Sequence, residues 1–266
     1  MKVLFWNTHH NKNINNTLCE LICENNISFV ILAEYEAEIN ALTKELIKQG
    51  TYLGDYSKLC SGRITVLPLQ QMNIFPGLQS DYYSFHIINN KDIYCCIHLP
   101  SKIYGNSSGT RNLITDRIVK DIESIEEEIN SNHTIIVGDF NTNPFDHNCI
   151  DASGFHGIPI LEVTEKEKRT IAGKEYSMFY NPMWRFFGDE SFPYGTCYFA
   201  NRDTDNIFWN IYDQVLIRPS LKDRFVSSSL RIITETKTQR LLNSKGHPNK
   251  NISDHLPIIF EIQEDE

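Results

Sequence analysis

The chain has 266 residues, 25 basic and 34 acidic, for a formal net charge of −9, and 41% of it is hydrophobic. This composition excludes wholesale disorder, and no apolar run approaches the ~20 residues needed to span a bilayer. The acidic balance argues against a protein that coats nucleic acid by charge alone, yet leaves room for an enzyme that meets phosphates through a cation.

Met1 to Asn7 passes straight into a short apolar run with one basic residue and no small-residue cleavage site, so no secretory signal is expected. None of the seven cysteines forms a C-x-x-C pair, and Cys95-Cys96 lie side by side in an apolar run. They read as reduced thiols of a cytoplasmic protein. Along the chain the apolar runs are Val3–Trp6, Phe29–Ala33, Ile93–Ile97, Thr134–Val137, Val215–Ile217 and Leu256–Phe260. Continuous runs of this length suit strands buried on both faces. Between them, helical periodicity predicts helices over Ile14–Glu24, Ile39–Lys48 and Thr110–Asn130. The last has an apolar stripe of Leu113, Ile114, Ile118, Ile122, Ile125 and Ile129 and an acidic solvent face.

The polar residues at the ends of these runs carry the chemistry. Four runs lead into Asn7, Glu34, His98 and Asp139, whereas Asp213 and Asp254-His255 open the last two. If all six places meet, four strands point toward the site and two away, which requires mixed sheets and one domain spanning residues 1–266. In Gly138-Asp139-Phe140-Asn141, the glycine allows a sharp exit from the strand. The carboxylate and carboxamide, two apart, can share a hard cation and a phosphoryl oxygen, or simply form a turn bonded to its own backbone. A His beside an acid, as at Asp254-His255, can exchange a proton near neutrality, or be a surface residue of a strand-initiating turn. Glu34, closing a buried strand, must be paired, metal-bound or solvated.

Together, Trp6-Asn7, Ala33-Glu34, His98-Leu99-Pro100, Gly138-Asp139-Phe140-Asn141, Tyr212-Asp213-Gln214-Val215 and Ser253-Asp254-His255 resemble, in order and over nearly the whole chain, the motifs of the endonuclease/exonuclease/phosphatase superfamily. That resemblance implies a four-layer α/β sandwich with two packed mixed β-sheets, DNase I-like, and a phosphoesterase using Mg²⁺ or Mn²⁺. It implies Glu34 as the main metal ligand with Asn7 beside it and Asp254 nearby. Asp139 would orient or deprotonate the attacking water, and Asn141 would hold a phosphoryl oxygen. His255, oriented by Asp213, would contact the phosphate, and His98 would bind phosphate or assist the leaving oxygen. Thr8-His9-His10-Asn11 stands where abasic-site endonucleases usually carry Asp-Gly, which counts against that specificity. Gly62 to Val66 offers no acid to partner His98.

Substrate choice is less sharply marked. Residues 176–212 hold 13 of the 30 aromatics, where an even spread would give roughly four. From these, Trp184 and Trp209 are the candidates for facing substrate, since aromatic faces stack nucleobases. Lys102, Arg111 and Arg117 are candidate phosphate contacts, and Lys237–Lys250 is a basic loop able to steer a phosphate-bearing substrate. The expected substrate is nucleic acid, with a small nucleotide, inositol phosphate or lipid headgroup as the alternative.

Overall fold

The computed structural model describes residues 1–60, 62–69, 72–101, 108–201, 204 and 206–264. The first half runs β1 (Lys2–Asn7), α1 (Asn15–Asn25), β2 (Phe29–Ala33), α2 (Ile39–Lys48), β3 (Ile64–Pro68), β4 (Ile74–Gln79), β5 (Tyr83–Ile88), β6 (Asp92–His98), α3 (Ser108–Ile129) and β7 (His133–Asp139). After it come α4 (His147–Ile150), β8 (Gly157–Ile158), α5 (Leu161–Thr164), the hairpin β9 (Lys168–Ile171) and β10 (Lys174–Ser177), and β11 (Phe179–Tyr180). The chain closes with β12 (Cys197–Tyr198), β13 (Trp209–Asn210), β14 (Asp213–Ile217), β15 (Arg231–Ile232) and β16 (Ile258–Glu261).

Two mixed sheets result. One has the order β15-β16-β1-β2-β3 and the other β4-β5-β6-β7-β14-β11-β8. They pack face to face because each continuous apolar run sends alternate side chains to opposite sides. In β6, Tyr94 and Cys96 enter the core shared between the sheets, while Ile93, Cys95 and Ile97 pack with Ile118 and Ile122 of α3. Phe29 and Tyr94 meet across the sheets edge to face, centroids 5.3 Å apart. Leu18, Leu21 and Ile22 of α1 and Leu42 and Leu46 of α2 join the shared core from the first sheet. The layers are the expected ones, two packed mixed sheets flanked by helices. All seven cysteines are free thiols, and among the described residues no helix is long and apolar enough to cross a membrane.

Two local readings change. Leu113 is 73% exposed, so it does not belong to the apolar stripe of α3; five residues from Ile118, it lies ~140° around the helix from it. The last strand begins at Ile258, after Pro257, so His255 sits in the approach to it, bridged to Cys197.

Strand polarity positions the site. β1 and β2 run parallel, as do β6 and β7, whereas β14 is antiparallel to β7 and β16 to β1. Four strands therefore end, and two begin, at one rim. The register sets Asp139 abreast of both His98 and Asp213, and Asn7 abreast of Ala33. Gly138 is required by the neighbouring strand rather than by a sharp exit. At φ +156°, a Cβ there would lie 1.9 Å from the Ile97 carbonyl oxygen.

Candidate active site

The rim holds a cavity of about 610 Å³ lined by Asn7, His9, His10, Glu34, His98, Asp139, Asn141, Asp254 and His255, with Arg63, Tyr82 and Phe199 among its other walls. The structure thus brings together every residue read at the strand ends except Asp213, which lies directly behind His255.

Asp213 is fully buried. Its Oδ2 is 2.7 Å from His255 Nδ1, while its Oδ1 has no hydrogen-bond partner among the described residues. Burial alone would push the His255 imidazole down, but Asp213, Asp139 and Asp254 outweigh it and lift it to about 10. Asp139 is held above the usual carboxylate range by burial, with the Asp213 charge adding and His255, His98 and Asn7 opposing. Its two oxygens accept from Asn7 Nδ2 (2.9 Å) and from the Asn141 backbone N–H (2.8 Å). The turn bonded to its own backbone and the site carboxylate are therefore the same structure. Asn141 leaves the extended conformation at φ 49°, and its Nδ2 donates to the Leu99 carbonyl, so its amide ties the exit of β7 to the residue following β6. Asn7 is spent similarly: one end of its amide holds Asp139, and its Oδ1 accepts the His9 backbone N–H at 3.0 Å.

Glu34 ends β2 in a left-handed turn, φ 52°. Thr8, buried and unremarkable in sequence, fixes that turn by donating its hydroxyl to the Glu34 carbonyl at 2.9 Å. Ser253, part of the Ser253-Asp254-His255 motif but without a role of its own in it, is a second brace. Its hydroxyl donates to the Asn7 carbonyl and accepts the His255 backbone N–H, tying the last loop to β1. His98 Nε2 lies 3.5 Å from Glu34 Oε1 and 3.9 Å from Asp139 Oδ2. The acid facing His98 therefore comes from β2, not from the β3 stretch searched in sequence.

The remaining candidates sit elsewhere. Arg111 is buried behind the rim, donating to the Asn141 carbonyl, and burial lowers its pKa. Arg117 is exposed on α3, and Lys102 lies outside the described residues. Trp184 packs edge-on against Phe145 and Phe187, and Trp209 belongs to a cluster with Phe192, Tyr194, Tyr198 and His247. Neither indole lines the rim cavity or its neighbour. That neighbour, about 760 Å³, shares the Ser101, Asn141 and Phe199 walls and adds Phe145, Ile207, Tyr212, Asn210 and Lys250. The aromatic walls beside Asn141 are therefore Phe145, Phe199 and Tyr212.

A divalent cation fits one part of this rim better than the other. Ligand atoms of Asp139, Asp213 and His255 lie within 4.8 Å of one another. However, the short Asp213–His255 hydrogen bond already uses two of them, and a cation there would have to break it. Around Glu34 the donors are a carboxylate with three imidazoles within 4.0 Å, open to the cavity, and Asp254 Oδ1 lies 3.2 Å from one of those imidazoles. Oxygen and nitrogen donors of that kind suit a divalent ion.

No family model and no curated protein matches the sequence. Solved structures do match. An AP endonuclease from Archaeoglobus fulgidus superposes with a TM-score of 0.56 at 12% identity, covering 99% of this chain and 100% of that one. A 3'-5' exonuclease (NExo) from Neisseria meningitidis gives 0.56 at 14%, with 99% and 100% coverage. TDP2 from D. rerio, complexed with a single-strand DNA product, gives 0.54 at 14%, with 99% of each chain covered. The chain has the fold that these structures share, a DNase I-like α/β sandwich.

Proposed function

We propose that this protein is a divalent-metal-dependent phosphodiesterase, and specifically a nuclease that hydrolyses DNA or RNA by direct in-line attack of water. The observation that carries the reading is the buried Asp139 beside the Asp213–His255 pair, facing Glu34 across one open cavity. A cation, Mg²⁺ or Mn²⁺, held by Glu34 and Asp254 next to Asn7 would polarise the phosphoryl group. Asp139, made more basic by burial, accepts a proton from the attacking water, and Asn7 fixes its orientation. His255, charged and locked through Nδ1 by Asp213, donates from Nε2 to a phosphoryl oxygen and stabilises the charge that develops there. His98 stands on the other side of Asp139, within reach of the phosphate or the leaving oxygen. Arg111 holds the turn at Asn141, a wall of both cavities, and Asn141 ties that turn to Leu99.

The adjoining cavity favours a diester over a bare phosphomonoester, since Phe145, Phe199 and Tyr212 offer apolar and π surface one step from the phosphate, enough for a nucleoside. In the opposite direction, Arg63 and Lys250 are the only Lys or Arg among the described residues lining the two cavities. That poverty of cations favours the second reading, a small nucleotide or other small phosphoester. A panel of DNA, RNA, mononucleotide and phosphomonoester substrates, each with Mg²⁺, Mn²⁺ and EDTA, separates them. The nuclease reading expects metal-dependent strand cleavage that weakens as salt rises. Turnover of small esters alone transfers the assignment to the second reading, and no turnover with any metal overturns both.

A further inference from the structure

The segment that departs from the abasic-site pattern, Thr8-His9-His10-Asn11, is held unusually tightly for a polar loop. His9 and His10 both adopt left-handed backbone, φ 50° and 54°, a conformation that costs ~1–2 kcal/mol for each non-glycine residue. The His10 N–H donates to the Glu34 carbonyl at 3.1 Å, the Asn11 N–H to the Thr8 carbonyl at 3.1 Å, and Asn11 Nδ2 to the Ile252 carbonyl at 2.9 Å. This framework turns two consecutive imidazoles toward the same carboxylates. His9 Nδ1 is 3.2 Å from Asp254 Oδ1 and 4.0 Å from Glu34 Oε2, and His10 Nε2 is 3.3 Å from Glu34 Oε2.

One detail distinguishes ligation from ordinary charge pairing. His10 Nδ1 lies 2.9 Å from Glu36 Oε1. A carboxylate accepting the Nδ1 proton leaves the Nε2 lone pair directed inward at Glu34, the arrangement by which an outer carboxylate orients a metal-bound histidine. Imidazole–carboxylate pairs as exposed as these, with ring exposures of 48% and 58%, are worth little in themselves and would not offset two left-handed residues. Adjacent donors on an octahedral ion at ~2.1 Å stand ~3 Å apart, close to the spacings seen.

We propose that His9 and His10, the latter oriented by Glu36, complete a mixed nitrogen–oxygen ligand set with Glu34 and Asp254 that selects Mn²⁺, Co²⁺ or Zn²⁺ over Mg²⁺. The inference rests on the reading above that a divalent cation sits at Glu34. Imidazole raises affinity for first-row transition ions, whereas Mg²⁺ favours oxygen and retains its waters.

Mn²⁺ itself is the probe. Electron spin-echo envelope modulation of the Mn²⁺-loaded wild type should show imidazole nitrogen coupling, and Mg²⁺ should displace Mn²⁺ only at large excess. His9→Ala with His10→Ala should abolish the coupling that remains in His98→Ala, and weaken Mn²⁺ binding by ~10-fold or more with Mg²⁺ affinity little changed. Glu36→Gln should weaken Mn²⁺ by ~10-fold. If Mn²⁺ binds and Glu34→Gln removes it, but the coupling is absent or survives in the double variant, the ligand assignment falls alone. If the wild type binds no divalent ion, the functional reading falls with it.

Discussion

Strands β6 and β7 carry a polar cluster at each end, and the two clusters are built on opposite terms. At the start, Asp92 stands abreast of His133 and is gripped by Arg224 through two bonds, 2.7 and 2.6 Å. Nearby, Arg218 holds Glu126 in the same two-bonded way at 2.8 and 3.1 Å. Each of these two acids has a planar cation of matching shape. At the other end, His98 stands abreast of Asp139, and the carboxylates of Glu34, Asp139, Asp213 and Asp254 meet imidazoles and amides. Among the described residues no guanidinium or ammonium group pairs with any of them. A balanced cluster closes a fold, whereas an acidic surplus around an open cavity is a place prepared for a cation and for proton transfer.

The sharpest way to break this contrast is substitution at each end. Asp139→Asn is expected to lower kcat by ~10²–10⁴, the scale of a lost base or charge stabiliser. Thermal stability should hold or rise, because a buried carboxylate held above its usual range destabilises the fold at neutral pH. Unchanged kcat would remove Asp139 from the chemistry. At the balanced end, Arg224→Met leaves buried Asp92 without its guanidinium, with the His133 imidazole 3.3 Å away, and should cost ~3–5 kcal/mol in denaturant unfolding, with kcat per folded molecule unchanged. Adding Asp92→Asn to that variant should recover part of the loss. If Arg224→Met instead abolished activity in folded protein, the division between the two ends would fail.

The sequence drew attention to the acidic rim because its polar residues sit flush against apolar runs. Glu34, His98, Asp139, Asp213 and Asp254-His255 each adjoin a stretch that is otherwise buried, so burial itself singled them out. What holds them could not be read in the same way. Thr8 and Ser253 act through hydroxyls in turns, and the left-handed backbone of Glu34, His9 and His10 has no signature in residue type. Aromatic density pointed to Trp184 and Trp209, but density reports packing as readily as recognition. Phe145, which does line the cavity beside Asn141, falls outside the enriched window. Strand β5 escaped notice because it buries Ser84 and His86 where a strand is expected to be apolar.

His86 supplies the finest test, since it is as buried as His255 with none of its acids. Among the described residues its hydrogen-bond partner is the Ser84 hydroxyl, 2.9 Å from Nε2, and burial lowers its pKa from 6.5 to about 4. A histidine depressed in the folded state leaves the unfolded chain binding the extra proton, so stability is full above about pH 6.5 and drains as pH falls toward 4. The drain amounts to about 3 kcal/mol at most for a shift of this size. His255 has the opposite sign: its raised pKa contributes stability that is complete below 6.5 and lost only as pH climbs through about 10. Chemical denaturation of wild type and His86→Gln, compared at pH 7.5, 6, 5 and 4, isolates the effect, because the other carboxylates titrate alike in both proteins. The stability gap should move in favour of His86→Gln by ~2–3 kcal/mol across that range. A gap that stays constant with pH would show that the imidazole takes up its proton in the fold as readily as in the unfolded chain. Burial without a neighbouring acid would then not be what separates a neutral histidine from the charged one at the rim.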